Sequence, residues 1–152
     1  MSAKTISVPG ARLYEEDFLA WIEEMTRLLR ARRFEELDLE NLIEEVDSMG
    51  ISQRHERDNR LVVILEHLLK WKYQPGRRSK SWRSTLVTQR ASIERLFGSS
   101  PSLKRGLTGS LAGVYRHAVR VARVETDLPA KTFPDRCPFT PEQILDPDYL
   151  PE

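Results

Sequence analysis

Apolar positions recur along this chain at helical spacing, and nowhere do they alternate as a half-buried strand requires. Phe18, Trp21, Ile22, Met25, Leu28 and Leu29 form one stripe, which predicts a first helix from about Tyr14 to Arg33. Glu15, Glu16 and Asp17 crowd its start and Arg30, Arg32 and Arg33 its end, an order that complements the helix dipole. Phe34 to Leu37 reads as a connector, and Asp38 as the cap of a second helix with Leu39, Leu42, Ile43, Val46 and Met49 as its stripe. That helix is expected to run from Asp38 to Tyr73, with a bend or break near Gly50. Its second half, from Leu61, is apolar almost all round, the mark of the most buried helix. Glu66 and Lys70 are an i,i+4 pair on its polar side.

Pro75-Gly76 ends the long helix. A third helix is expected from about Ser81 to Phe97, on Trp82, Leu86, Ile93, Leu96 and Phe97, with Gln89 near the middle of the stripe. Ser99 to Ser102 is a turn with Pro101 at a first helical position. A fourth helix follows from about Leu103 to Thr126, weakened in its first half by Gly106, Gly109 and Gly113. Prolines at 129, 134, 138, 141, 147 and 151 preclude a regular helix or central strand beyond that. Residues 127–152 therefore read as an extended arm lying on the helices through Phe133, Phe139, Ile144 and Leu145, with one helical turn starting at Thr140. Residues 1–12, with Pro9-Gly10 and no periodicity, read as a disordered tail. The expected architecture is all-α: one domain over 13–152, a four-helix bundle with a proline-rich C-terminal arm.

Length and composition agree with one soluble core, at 152 residues, 39% apolar and 31% charged. The longest apolar run, Leu61 to Leu65, falls far short of the ~18 residues of a membrane span, so no membrane association is expected. The N-terminus has no apolar signal core, and a lone Cys137 suits a reducing compartment, so the expected location is cytoplasmic. The net charge of +1 hides blocks of opposite sign. Ala11 to Gly50 carries five basic and twelve acidic residues, and Ile51 to Glu125 sixteen basic and five acidic. The favoured account is that the acidic third neutralises the basic middle; the other is an acidic partner for the basic part.

Several motifs, taken together and in order, resemble a known family. They are Asp17-Phe18 with Trp21, Leu37 to Val46 (LDLENLIEEV), His67 to Trp71 (HLLKW), Ser81 to Arg83 (SWR) and Gln89-Arg90. Ser100 to Leu103 (SPSL) and Glu125 to Thr140 (ETDLPAKTFPDRCPFT) complete the set. The chain resembles the bacterial family catalogued as domain of unknown function 29 over about residues 13 to 151. The resemblance implies an all-helical protein and carries over no activity and no site residues.

The residues themselves offer three places for chemistry. Glu45, His67, Gln89 and Arg90 flank the stripes of the second and third helices and are expected to meet as a polar cluster at an edge of the core. As an active site this cluster would combine a carboxylate, an imidazole and a guanidinium; the plainer account is a network that fixes helix register. Lys70, Lys72, Arg77, Arg78, Lys80 and Arg83, interleaved with Trp71, Tyr73 and Trp82, have the composition of a nucleic-acid or anion-binding surface. The plainer account there is cations at a helix C-terminus and tryptophans packed across a turn. His55 to Asn59 misses the HExxH pattern at its last position, and Glu-x-x-His is absent, so neither a metal nor a cofactor is expected. No nucleophile elbow or phosphate loop occurs. The leading expectation is a cytoplasmic, non-catalytic accessory module that binds another protein or itself. Nucleic-acid or phosphate binding through residues 70–83 is the alternative, and an enzyme or metal protein built on Glu45, His67 and Arg90 the third reading.

Overall fold

A computed structural model describes residues 9–152, and these form an all-α protein without strands among the described residues. The α-helices are α1 (Pro9–Glu16), α2 (Phe18–Arg30), α3 (Leu39–Tyr73), α4 (Lys80–Ser99), α5 (Pro101–Arg105), α6 (Leu107–Thr126) and α7 (Pro141–Leu145). Short 3-10 turns occupy Phe34–Glu36, Pro75–Arg77 and Ala130–Thr132. The chain divides into two compact units, one ending at Ser52 and the other starting at Gln53. The helix α3 runs unbroken through Gly50, so the expected break there does not occur.

The first unit departs from expectation at its start. The tail expected over residues 1–12 lies outside the described residues up to position 8, and from Pro9 the chain is helical. Gly10 allows this helix a close approach. A Cβ there would stand 2.9 Å from Asp38 Cβ and 3.2 Å from Met25 Cε. The expected first helix is split at Asp17, whose carboxylate accepts the Ala20 amide at 3.0 Å and so starts α2 afresh. Trp21, Met25, Leu28 and Leu37 form a small core, with Leu13, Tyr14 and Leu42 against it. Asp38 is buried at the start of α3 and accepts from Trp21 Nε1 at 3.0 Å and Asn41 Nδ2 at 2.8 Å. The tryptophan thus claims the carboxylate read as a simple cap.

The second unit holds the larger core. Leu61, Ile64, Leu65, Leu68 and Leu69 of α3 are fully buried, as their all-round apolar pattern predicts. Leu86 and Ile93 of α4, and Val114, Tyr115, Ala118 and Ala122 of α6, pack with them. The expected fourth helix is divided at Gly106 into α5 and α6. Buried Arg57 crosses that junction, donating from Nη1 to the Leu103 carbonyl at 3.0 Å and from Nη2 to Ser110 Oγ. The arm joins the same core through Phe133, Phe139 and Ile144. Thr140 and Gln143 close a capping box at the start of α7, and Tyr115 donates to the Pro134 carbonyl at 2.6 Å.

Arg90 fastens the arm. Its guanidinium, 4% exposed, donates to the carbonyls of Ile144 (2.9 Å), Tyr149 (2.9 Å) and Gln143 (3.1 Å). A five-residue helix leaves its last carbonyls unbonded, and one planar fork satisfies several of them at once. Arg90→Lys is expected to destabilise the protein by about 3 kcal/mol or more, since an ammonium cannot reproduce the fork and leaves buried carbonyls unpaired. Urea unfolding reads the loss, and limited proteolysis is expected to cut the variant first within residues 127–152.

Candidate functional site

The four residues expected to form a polar cluster have separate partners. Glu45 accepts from Tyr14 Oη at 2.6 Å, a bond that pushes the phenol up to about 12. Gln89 accepts from Arg60 at 3.2 Å, and Arg90 is spent on the arm. His67 Nδ1 faces the Val63 carbonyl one turn back at 2.8 Å, so it carries the proton there. No hydrogen bond joins any two of His67, Gln89 and Arg90 among the described residues. Helical projection placed each at a stripe edge and could not say which edge met which.

A different cluster stands beside His67. Glu66 and Lys70, the pair read as lying on a polar face, are both only 5% exposed. Lys70 Nζ donates to Glu66 at 3.0 Å and to Glu125 of α6, and lies 5.1 Å over the Trp82 ring. One ammonium thus serves two carboxylates. Glu125, half exposed, is held below the usual carboxylate range by its bond to Lys70. Glu66 is pushed up by burial, which outweighs the same lysine. Burial pushes the His67 imidazole down, with Lys70 acting the same way, so its 3.4 Å approach to Glu66 is not an ion pair at neutral pH. The set ties α3 to α6 and α4 through charge, and its titratable groups are turned toward one another rather than toward a cleft.

The basic–aromatic turn is likewise drawn into the fold. Lys70 is the buried ammonium just described. Arg78 donates to the Trp71 carbonyl at 2.9 Å, and its guanidinium lies 5.2 Å over the Trp71 ring. Lys72 is half-buried, while Arg77, Lys80 and Arg83 are exposed. The cap of α4 is Ser79, two residues before the expected start, and accepts the Trp82 amide at 3.2 Å. Two of the six cations, Lys70 and Arg78, therefore have partners within the chain. Cys137 donates to the Phe139 carbonyl at 3.4 Å, with its thiol pushed up by burial. Among the described residues, no three His, Cys, Asp or Glu side chains converge as a metal site.

Two exposed helix faces stand out instead. On the first half of α3, Leu39, Ile43 and Val46 are 58%, 54% and 58% exposed. They sit at i, i+4 and i+7, hence in one row, with exposed Glu40, Glu44 and Asp47 forming the row beside it. None of these three acids is ion-paired among the described residues. On α6 the same spacing sets exposed Arg116, Arg120 and Arg123 beside His117, Val121 and Val124. A cavity of about 630 Å3 opens along this second face between Gly113 and Glu125. The α6 face went unread in the sequence, although three arginines at i, i+4 and i+7 were its signal.

The family described as Domain of unknown function DUF29 matches residues 13–150. No curated protein and no solved structure matches the chain. No helix among the described residues is long and apolar enough to cross a membrane.

Lys70→Met is expected to cost about 3–5 kcal/mol in urea unfolding, because it strands two carboxylates. Adding Glu66→Gln to that variant is expected to recover part of the loss by removing the more buried charge. His67 makes a separate contribution with pH. Its native imidazole resists a proton that the unfolded chain accepts near the ordinary value of 6.5. Stability from this group is present above that value and is lost as pH falls through the native one. His67→Gln, which keeps a donor for Val63, is expected to flatten the fall of melting temperature on acidification from neutral pH.

Proposed function

The chain belongs to the family Domain of unknown function DUF29, and we propose that within it this protein is a cytoplasmic, non-catalytic interaction module. Its occupant is a basic amphipathic helix of a partner protein, received on the first half of α3. One observation carries the reading: ten of the twelve large apolar side chains that are exposed among the described residues lie in the first unit. Four of them, Leu39, Ile43, Val46 and Met49, follow one another along α3. A helix face with apolar side chains at i, i+4 and i+7 is the form in which helices dock on helices. The charge beside it selects the partner. Glu40, Glu44 and Asp47 repel an acidic helix and attract one whose apolar row is flanked by Lys or Arg.

The same reading accounts for the first unit's composition. Ala11 to Gly50 carries a net −7, and its core has only four buried apolar side chains. A phosphate-binding or nucleic-acid-binding role for residues 70–83 has less support, since Lys70 and Arg78 are held by Glu66, Glu125 and Trp71.

A fluorescent Leu–Lys amphipathic peptide, titrated by anisotropy against the full chain, tests this. Saturable binding is expected, weakened roughly tenfold or more, about 1.4 kcal/mol, by Ile43→Asp. Any binding of a Leu–Glu peptide of the same length is expected to be unaffected by Ile43→Asp. Equal weakening of both peptides by Ile43→Asp, or no effect of Ile43→Asp on the Leu–Lys peptide, would refute the reading.

A further inference from the structure

We propose that the basic amphipathic helix received on α3 is α6 of a second copy of this chain. The inference rests on the interaction-module reading above and names its partner.

The two faces match in spacing and are opposite in charge. The α3 face has an apolar row, Leu39, Ile43 and Val46, with an acidic row one residue further on, Glu40, Glu44 and Asp47. The α6 face has a row of exposed His117, half-buried Val121 and exposed Val124, with a basic row one residue earlier, Arg116, Arg120 and Arg123. Both sets repeat at i, i+4 and i+7, so both extend over two turns along one side of a helix. Val124 is 80% exposed, the largest exposure of any large apolar side chain among the described residues. The arginines have no carboxylate within ion-pair distance among the described residues, and neither α3's acids nor these arginines are used inside their own units.

The order of the rows also fixes a direction. Successive residues turn by about 100° around a helix, so the acids lie clockwise of the α3 apolar row viewed from its N-terminus, and the arginines lie anticlockwise of theirs on α6. When the two apolar rows face each other, parallel helices bring the acidic and basic rows to the same side. Antiparallel helices send them to opposite sides. The pairing is therefore parallel, with Glu40, Glu44 and Asp47 alongside Arg116, Arg120 and Arg123. The α6 cavity, about 630 Å3, supplies the room for side chains of the incoming helix. Gly113 extends that room, since a Cβ there would meet only Arg116 Nη2, at 3.9 Å. Each copy carries both faces, so each offers what the other needs.

Light scattering of the full chain during size-exclusion chromatography, across micromolar to near-millimolar concentrations, reads the association directly. A mass that rises with concentration to at least a dimer is expected, and it falls back with added salt because the pairing is charged. Glu44→Arg alone and Arg120→Glu alone are each expected to leave the chain monomeric, with unchanged circular dichroism since both positions are exposed. Mixing the two variants is expected to restore the dimer, because the reversed α3 face of one then meets the reversed α6 face of the other. A wild-type chain that stays monomeric throughout overturns the proposal, as does failure of the mixture to associate while both variants remain folded. The basic-peptide titration separates this failure from that of the underlying reading: a monomer that still binds the Leu–Lys peptide through Ile43 loses only the second copy as partner, and a monomer that binds neither loses both.

Discussion

Three cations buried in the second unit, Arg57, Lys70 and Arg90, set the terms on which its helices pack. A buried charge without partners is among the costliest features a fold can carry. Each of these three therefore fixes whatever satisfies it. Arg57 holds the junction of α5 and α6 through the Leu103 carbonyl and Ser110. Lys70 draws Glu125 of α6 to Glu66 of α3 beneath the Trp82 ring. Arg90 takes three carbonyls of the arm. The apolar core gives cohesion without direction; these three sites supply direction, because a guanidinium or ammonium is satisfied in few geometries.

The arm shows how far this reaches. Six prolines after Thr126 deprive it of the amides that a helix or sheet ladder needs, so regular structure cannot hold it. It is held instead by three buried apolar side chains and by backbone carbonyls turned inward. Inward carbonyls require donors, and Arg90 and Tyr115 provide them from α4 and α6. The proline-rich composition and the buried arginine are two halves of one arrangement.

Much of the fold was legible because periodicity reports directly on burial. The all-round apolar pattern from Leu61 to Leu69 marked the most buried helix, and Phe133, Phe139 and Ile144 marked the arm's contact with the core. What was not legible depended on partners distant in sequence. Gly50 continues α3, because a single glycine lowers helix stability by only about 1 kcal/mol and does not dictate a break. Gly10, by contrast, acts through an approach to Asp38 and Met25 that spacing does not display. Glu66 and Lys70 read as a solvated pair until Glu125, fifty-five residues beyond Lys70, is brought beside them. The separate partners of Glu45, His67, Gln89 and Arg90 were hidden for the same reason: projection gives a side chain's azimuth on its helix and not the identity of its neighbour.

That limit bears most on the apolar stripe of α3. A run such as Leu39, Ile43, Val46 and Met49 looks the same in sequence whether its own chain covers it or not. In the second unit the equivalent positions of α3 are at or near zero exposure, whereas in the first they are more than half exposed. One helix thus carries two kinds of apolar face, one closed by tertiary packing and one left open with unpaired acids beside it. Leaving such a face open costs solubility and exposes the chain to non-specific association, and a flanking acidic row limits which surfaces can approach. The row of like charge is then as informative as the apolar row. It repels helices of its own sign and leaves a narrow class of basic ones, and α6 is a member of that class in the same chain.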